Sequence, residues 1–201
     1  MSGPEPSRVS RAGAKLDRAL DAFALPLAGK ACADFGCNVG GFTEAMLLRG
    51  AARVIAIDTG YGALAWKLRT DPRVETRERT NALHADPPPG GVDLVTVDLA
   101  WTPQRLAVPA ALRWLAAGGR IVTLVKPHYE LRDDEKALLD RGFLPHAEAE
   151  RVLERVLGEM PSLGATVLDR CESPLVGGKS SRRAGVPGNR EWLALLAPSA
   201  A

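Results

Sequence analysis

Four charged residues stand where the neighbouring sequence is apolar, and their types suit acid–base chemistry. Asp98 ends the apolar run VDLVTVD, and Lys126 ends the run IVTLVK. Lys15 lies in the first amphipathic segment, and Glu191 opens the last apolar run. A lysine partly removed from water beside carboxylates can act as a base, so this set could hold one hydroxyl group, polarise it and accept its proton. The competing interpretation, favoured for Lys15 or Glu191 alone, is a solvated residue or a simple ion pair.

A glycine-rich turn, DFGCNVGGFT at residues 34–43, follows the first apolar run. It lacks the Gly-Lys-Ser/Thr of a phosphate-binding loop and the G-x-G-x-x-G spacing of a diphosphate site. Asp34 would repel a diphosphate but suits a cationic or neutral ligand, and S-adenosylmethionine carries a sulfonium and an ammonium. Asp58 ends the next apolar run, 22 residues after Gly36. An acid at about this distance often accepts the ribose hydroxyls of an adenine nucleoside, although Asp58 could instead only open the turn DTGYG.

The two acids on consecutive strand ends favour a site for an adenosyl cofactor over a structural turn. Thr80 and Asn81 follow the third apolar run and either meet the adenine or serve as loop residues. The predicted residues of the S-adenosylmethionine site are Asp34, Gly36, Cys37, Asn38, Gly40, Gly41, Phe42, Asp58, Thr59, Thr80, Asn81 and Asp98.

Short apolar runs alternate with helical stretches, which predicts an α/β fold with a mainly parallel, doubly wound sheet. The predicted strands are 30–35, 53–57, 73–77, 92–97, 121–125, 165–171 and 192–196. The predicted helices are 11–23 (capped by Ser10), a stretch through 44 and 48, 63–69, 103–116 (ended by Gly118-Gly119), 133–141 and 147–159. The last two strands should pair antiparallel at the sheet edge. In such a sheet the ligand crevice lies beyond the carboxyl ends of the strands, where the acids and lysines fall.

The composition, 46% hydrophobic and 25% charged over 201 residues, is typical of one soluble globular domain. We expect a single domain over 9–197, a disordered start over 1–8 and a tail over 198–201. No apolar run reaches the length of a membrane span and no signal peptide is evident, so we expect a cytoplasmic protein without a membrane partner. Three cysteines and three histidines lack metal-ligand spacing, so no metal site is predicted.

Basic residues cluster near both ends of the chain, although the net charge of +2 is too small to indicate a nucleic-acid partner by itself. The glycine-rich loop 173–189 is basic and adjoins Glu191, so it could close over an RNA; a solvated loop is the other interpretation. The predicted phosphate-binding residues are Arg8, Arg11, Lys179, Arg182, Arg183 and Arg190.

The motifs and their order resemble one family. They are SRAGAKL (10–16), DFGxxxGGFT (34–43), DTGYG (58–62), VDL (97–99), VKPHYE (125–130) and GNREW (188–192). This succession is similar to the FtsJ/RrmJ family of ribose 2′-O-methyltransferases, and within it to the rRNA-methylating branch named after TlyA. The resemblance covers about residues 9–196. It implies a Rossmann-like, S-adenosylmethionine-dependent methyltransferase fold and an RNA substrate, with rRNA expected.

The resemblance assigns Lys15, Asp98, Lys126 and Glu191 to the family's Lys-Asp-Lys-Glu catalytic tetrad. Lys126 would take or relay the proton of a ribose 2′-hydroxyl, Asp98 and Lys15 would position it, and Glu191 would support them. TlyA-like proteins usually carry an S4-type RNA-binding module, and this chain begins almost directly at the leading helix, so a separate RNA-binding protein is an expected candidate partner. Two alternatives stay open: an S-adenosylmethionine-binding RNA-interaction protein with little or no turnover, and a small-molecule O-methyltransferase.

Overall fold

A computed structural model describes residues 8–177 and 188–199, and strands and helices alternate along them. The strands are β1 (Ala31–Phe35), β2 (Arg53–Ile57), β3 (Val74–Arg77), β4 (Val92–Val97), β5 (Leu115–Val125), β6 (Ala165–Glu172) and β7 (Trp192–Pro198). The helices are α1 (Gly13–Ala22), α2 (Gly41–Leu48), α3 (Trp66–Arg69), α4 (Gln104–Leu112) and α5 (His146–Glu159). Short 3-10 helices lie at Pro127–Tyr129, Asp133–Leu138 and Met160–Leu163.

The strands form one sheet in the order β3-β2-β1-β4-β5-β7-β6, and the first five run parallel. The predicted antiparallel pair at the sheet edge is confirmed, because β6 and β7 pair antiparallel there. The reversed strand is β7, which also pairs antiparallel with β5 and so lies inside β6. Burial explains this order: the first five residues of β7 are buried, whereas most of β6 is partly or fully exposed and suits an edge.

Both faces of the sheet are covered by helices, as a doubly wound parallel sheet requires. Alternate residues of β1 belong to different layers: Cys32 packs with α1, α2 and α3, whereas Ala33 and Phe35 pack with α4 and α5. Trp114 anchors the second layer, with its ring edge-to-face against Phe35 at 5.2 Å between centroids. The indole N–H of Trp114 donates to the Ala85 carbonyl at 3.3 Å.

The predicted bounds hold best for the buried parallel strands and worst after β4. Strands β2 and β4 have the predicted bounds, but the helix predicted for 103–116 ends at Leu112, and β5 already begins at Leu115. Gly118, with φ 77°, lies inside β5 next to a register shift against β4, so this glycine bends a strand and does not end a helix. The helix predicted for 133–141 is only the 3-10 helix Asp133–Leu138.

Helix α1 crosses α2 closely, and the crossing depends on two glycines. A Cβ atom on Gly13 would lie 2.9 Å from the Gly41 carbonyl oxygen, and one on Gly41 would lie 3.0 Å from the Ala12 Cβ. Ser10 was predicted to cap α1, but the cap position is Ala12, and the Ser10 hydroxyl accepts the Ala12 N–H at 3.1 Å in the turn before it. The crossing therefore sets the position of Lys15, which lies in the first turn of α1.

We predict opposite effects for two glycine-to-alanine changes in helices. Gly13→Ala should lower the free energy of unfolding by about 1–3 kcal/mol, because α1 must move away from α2. Gly158→Ala should raise it by about 0.5–1 kcal/mol, since a Cβ there meets nothing within 4 Å and alanine favours a helix. Urea unfolding of both variants measures this. Equal stability of Gly13→Ala and the unchanged protein would contradict the close crossing.

Candidate active site

Chain direction brings the predicted acid–base residues to one edge of the sheet. Asp98 directly follows β4, and Lys126 directly follows β5, so both lie at the carboxyl ends of parallel strands. Strand β7 runs the other way, and its first residue, Trp192, pairs with Val125, the last of β5. Glu191, one residue before β7, therefore lies beside Lys126.

Two ion pairs link the four residues. The Lys126 ammonium donates to Asp98 Oδ1, and the Lys15 Nζ donates to Glu191 Oε2 at 2.5 Å. The side chains of Lys15 and Lys126 are each 12% exposed, and that of Glu191 is 3% exposed. Burial raises the pKa of the Glu191 carboxyl, and the Lys15 ammonium beside it opposes the rise. The structure thus brings together all four residues that the sequence singled out for acid–base chemistry.

The four residues line a single cleft of about 800 Å³. Its walls come from the segment before α1, the glycine-rich turn, the ends of β4 and β5, and the segment 175–177. The lining residues are Ser10, Arg11, Ala12, Lys15, Asn38, Asp98, Ala100, Lys126, His128, Tyr129, Leu175, Val176, Gly177 and Glu191. A cleft of this size takes a nucleotide-sized group.

A buried hydrogen-bond network holds the chain on both sides of Lys126. The Gln104 side chain accepts the Thr123 hydroxyl at 2.7 Å and donates to the Leu124 carbonyl at 3.2 Å. Glu130 accepts the backbone N–H of Gln104 at 2.9 Å, and burial raises its pKa to about 7. Sequence reasoning missed both residues. Glu130 stood in the motif VKPHYE without a role, and nothing in the sequence singled out Gln104.

His128 and Tyr129 line the cleft wall beside Lys126, and Trp101 packs against Tyr129 from outside that wall. Burial and the ammonium groups of Lys126 and Lys15 lower the pKa of His128 to about 4, so its imidazole is neutral at pH 7. The Tyr129 ring lies 4.1 Å from that of His128 and 4.5 Å from that of Trp101, between centroids. Trp101 is 79% exposed and has a φ of 60°, an uncommon value for a bulky residue.

The glycine-rich turn forms a smaller pocket that adjoins the cleft. A Cβ atom on Gly36 would lie 2.6 Å from the Asp98 carbonyl oxygen, so only glycine brings the turn this close to β4. At the start of α2, Gly40 has a φ of 100° and packs under Leu68. The pocket is lined by Ser10, Ala12, Gly36, Cys37, Asn38, Val39, Gly41, Phe42 and Asp98, and it shares Ser10, Ala12, Asn38 and Asp98 with the cleft.

Asp34 does not face this pocket, which corrects the expectation that its carboxylate meets a cationic ligand. The side chain is 1% exposed, and its two oxygens accept hydrogen bonds from Thr43 at 2.6 Å and Thr96 at 3.0 Å. Burial raises the pKa of Asp34 to about 6, while the two hydroxyls oppose the rise. Asp34 therefore ties β1 to α2 and β4 beneath the turn.

Asp58 is half-exposed next to the same turn. Its Oδ2 accepts the Asn38 N–H at 2.9 Å, and its Oδ1 accepts the Gly60 N–H at 2.7 Å. Asp58 thus does open the turn DTGYG, and it also holds the glycine-rich turn. An ionised carboxylate has about four acceptor positions, so each oxygen keeps one for a further donor. The geometry suits a ribose hydroxyl at Asp58.

The remaining predicted cofactor residues, Thr59, Thr80 and Asn81, differ in exposure and in hydrogen bonding. Thr59 is exposed. The Thr80 hydroxyl donates to the Glu78 carbonyl at 2.9 Å, and Asn81 Oδ1 accepts the Leu83 N–H at 3.0 Å, so both side chains make local turn contacts. A contact of either with an adenine stays a prediction.

The predicted phosphate-binding residues do not form one surface among the described residues. Arg11 is exposed and lines the cleft, whereas Arg8 pairs with Asp17 at 2.5 Å. Arg190 differs from the expectation that it is available for a phosphate. Its guanidinium binds both oxygens of Glu172, at 2.7 and 2.6 Å, and also Glu150, at 2.5 Å. These carboxylates neutralise its charge. Lys179, Arg182 and Arg183 lie outside the described residues.

Many protein families bind a cofactor on an α/β fold of this kind, and a sequence match identifies the family of this chain. A model of the FtsJ-like methyltransferase family matches residues 8–186. The chain belongs to the FtsJ-like methyltransferase family. Its mostly parallel seven-stranded sheet is the Rossmann-like fold of S-adenosylmethionine-dependent methyltransferases, as predicted.

The chain spans about half to two thirds of the length of the relatives that it resembles. Over 133 residues it is 49% identical to TlyA of Mycobacterium tuberculosis, a 16S/23S rRNA (cytidine-2′-O)-methyltransferase, covering 65% of this chain and 50% of that protein. It is 35% identical to YqxC of Bacillus subtilis, described as an rRNA methyltransferase, covering 85% and 61%. A solved structure from Streptococcus thermophilus, described as a hemolysin, matches with a TM-score of 0.86 at 34% identity, covering 98% and 70%.

Among residues 8–177 and 188–199, no group of three or more His, Cys, Asp or Glu side chains could hold a metal ion. Within the same part of this FtsJ-like protein, no helix is long and apolar enough to cross a membrane.

We predict that Asp34→Asn changes the pH dependence of stability. Because the folded protein holds the Asp34 proton more tightly than the unfolded chain, ionisation destabilises the fold as the pH rises from about 4 to about 6. Relative to the unchanged protein, the variant should therefore gain about 1.4 kcal/mol of unfolding free energy per pH unit across that window. Urea unfolding between pH 4 and 7 measures both proteins. Parallel stability curves would contradict the raised pKa of the buried Asp34 carboxyl.

Proposed function

We propose that this FtsJ-like protein is an S-adenosylmethionine-dependent RNA methyltransferase that modifies a ribose 2′-hydroxyl, with rRNA as its substrate. One observation carries the proposal: two lysine–carboxylate pairs line a cleft that adjoins the glycine-turn pocket. A cofactor held at the glycine-rich turn would therefore lie next to groups that can hold a hydroxyl. The name of the mycobacterial relative supports rRNA and, more finely, cytidine as the first substrate to test.

The residues around the turn fit the cofactor. Gly36 leaves the pocket open beside Asp98, and the half-exposed Asp58 has acceptor positions for a ribose. Asn38 and Gly41 are part of the pocket wall. When bound there, S-adenosylmethionine would supply a methyl group on a positively charged sulfur, and the carbon of that methyl group is the electrophile.

The residues of the cleft hold and deprotonate the acceptor. Lys126 binds the 2′-hydroxyl oxygen and relays its proton: the ammonium gives one proton to the Asp98 carboxylate and takes the proton of the hydroxyl. As the oxygen bonds to the methyl carbon, the bond between that carbon and sulfur breaks and leaves a neutral thioether. Lys15, paired with Glu191, keeps a second ammonium beside the oxygen and stabilises the negative charge that develops there. The charges of the two lysines and the two acids cancel, so these four residues together carry no net charge. Orientation of a bound hydroxyl in such a site can lower a barrier by roughly 7–11 kcal/mol.

Contacts with RNA outside the target nucleotide involve fewer residues than the sequence predicted. Arg11 is exposed on the cleft wall, which supports a contact between its guanidinium and a phosphate next to the target nucleotide. Arg190 is already bound by two glutamates and is left out of this role. Lys179, Arg182 and Arg183 stay a proposal from sequence alone.

Lys126→Ala should lower methyl transfer at least roughly 100-fold, because the hydroxyl loses the group that orients it and receives its proton. Affinity for S-adenosylmethionine should stay within a few-fold, because Lys126 does not line the glycine-turn pocket. Transfer of labelled methyl from S-adenosylmethionine to rRNA, with calorimetry for the cofactor, measures both. Lys30→Ala is the matched control, since Lys30 pairs with Asp93 at the opposite end of the sheet. Unchanged transfer by Lys126→Ala would contradict the proposed chemistry.

Asp58→Ala should weaken cofactor binding by roughly 10–100-fold, the expected effect of losing hydrogen bonds to a charged acceptor. Asp71→Ala is the control, because Asp71 also accepts a backbone N–H in a turn (that of Arg73, at 2.9 Å) but lies away from the pocket. Calorimetric titration with S-adenosylmethionine measures both variants. Equal affinity of Asp58→Ala and the unchanged protein would show that Asp58 only shapes the turn.

A further inference from the structure

The segment that leads to Glu191 is held by backbone hydrogen bonds at Asn189 and at Glu191 itself. Gly177 and Asn189 exchange two of them, at 2.8 and 3.0 Å, and form an isolated antiparallel bridge. Two residues on, the Glu191 carbonyl accepts the Ser173 N–H at 2.9 Å. The backbone of Glu191 is therefore fixed against the segment 173–177.

The Asn189 side chain fixes this bridge to the rest of the fold. It is buried, its Oδ1 accepts the Leu144 N–H at 2.8 Å, and its Nδ2 donates to the Gly142 carbonyl at 2.8 Å. The amide thus has partners for its donor and its acceptor, as a buried polar group requires. Because three segments meet at Asn189, the Gly177 backbone cannot move away from Glu191 without breaking these bonds.

Gly177 is needed for space and not for conformation. Its φ does not fall in the left-handed region, so the backbone conformation at this position does not require glycine. A Cβ atom at this position, however, would overlap the Glu191 carboxylate. The carboxylate of Glu191 therefore occupies the space that a side chain at position 177 would take.

We propose that Gly177 is a positioning residue for the catalytic cleft: by carrying no side chain, it lets the Glu191 carboxylate reach the Lys15 ammonium. A methyl group at position 177 would move the end of the flexible glutamate side chain and separate the pair, now 2.5 Å apart. Both partners are largely buried, so the displaced carboxylate and the Lys15 ammonium would lose their partners where water is scarce. Its effect on catalysis rests on the proposed function; its effect on the ion pair does not.

A double-mutant cycle with Gly177→Ala and Glu191→Ala tests this inference. Gly177→Ala should lower kcat for methyl transfer to rRNA by roughly 10- to 100-fold, as expected for a misplaced catalytic group. The KM for RNA and the calorimetric affinity for S-adenosylmethionine should stay within a few-fold. In the Glu191→Ala background, Gly177→Ala should have no further effect on kcat. Gly158→Ala, whose added methyl meets nothing within 4 Å, is the control and should keep the original kcat.

The thermal unfolding midpoint gives a readout that needs no activity. Gly177→Ala should lower the midpoint in the original protein but not in the Glu191→Ala background, where the carboxylate is gone and the methyl fills its space. An equal loss in both backgrounds, or no loss in either together with an unchanged kcat, would overturn the role of Gly177. If the unaltered protein methylates no RNA, the proposed function fails, and the midpoints still decide whether Gly177 positions Glu191.

Discussion

Two lysine–carboxylate pairs in one cleft, partly withdrawn from water, are the constraint on which the rest of this FtsJ-like structure depends. Charges so placed are costly unless each keeps its partner in good geometry. The pair of Lys15 with Glu191 joins residues 176 positions apart, and that of Lys126 with Asp98 joins the ends of adjacent strands. The close crossing of α1 and α2 and the reversed direction of β7 are both needed to bring the first pair into the cleft.

Polar side chains that do not face the cleft hold its parts in register. Gln104 and Glu130 bind the chain on either side of Lys126, and the buried Asp34 ties β1 to the threonines of α2 and β4. Asn189 does the same for the segment before Glu191. Satisfied buried networks of this kind make a local structure unique, which is what orienting a hydroxyl demands.

Much of the fold follows from the sequence, because buried parallel strands form short apolar runs that end in charged residues. This pattern was sufficient for β2, β4 and the convergence of Asp98 and Lys126 at one edge. It failed where distant partners decide the outcome. The inward turn of Asp34 depends on Thr96, 62 residues away, and the glutamates that bind Arg190 lie 18 and 40 residues from it. Gly118-Gly119 has the local pattern of a helix end, and only pairing with β4 makes it part of a strand.

The central claim is that the methyl group goes to a ribose 2′-oxygen, and alkaline digestion of the product RNA tests it most directly. The 2′-hydroxyl is the nucleophile in alkaline cleavage, so a methylated one protects the phosphodiester bond beside it. After transfer of labelled methyl to rRNA and complete alkaline hydrolysis, we predict that the label is recovered in an alkali-resistant dinucleotide. Label found wholly in mononucleotides would place the methyl on a base and contradict the account.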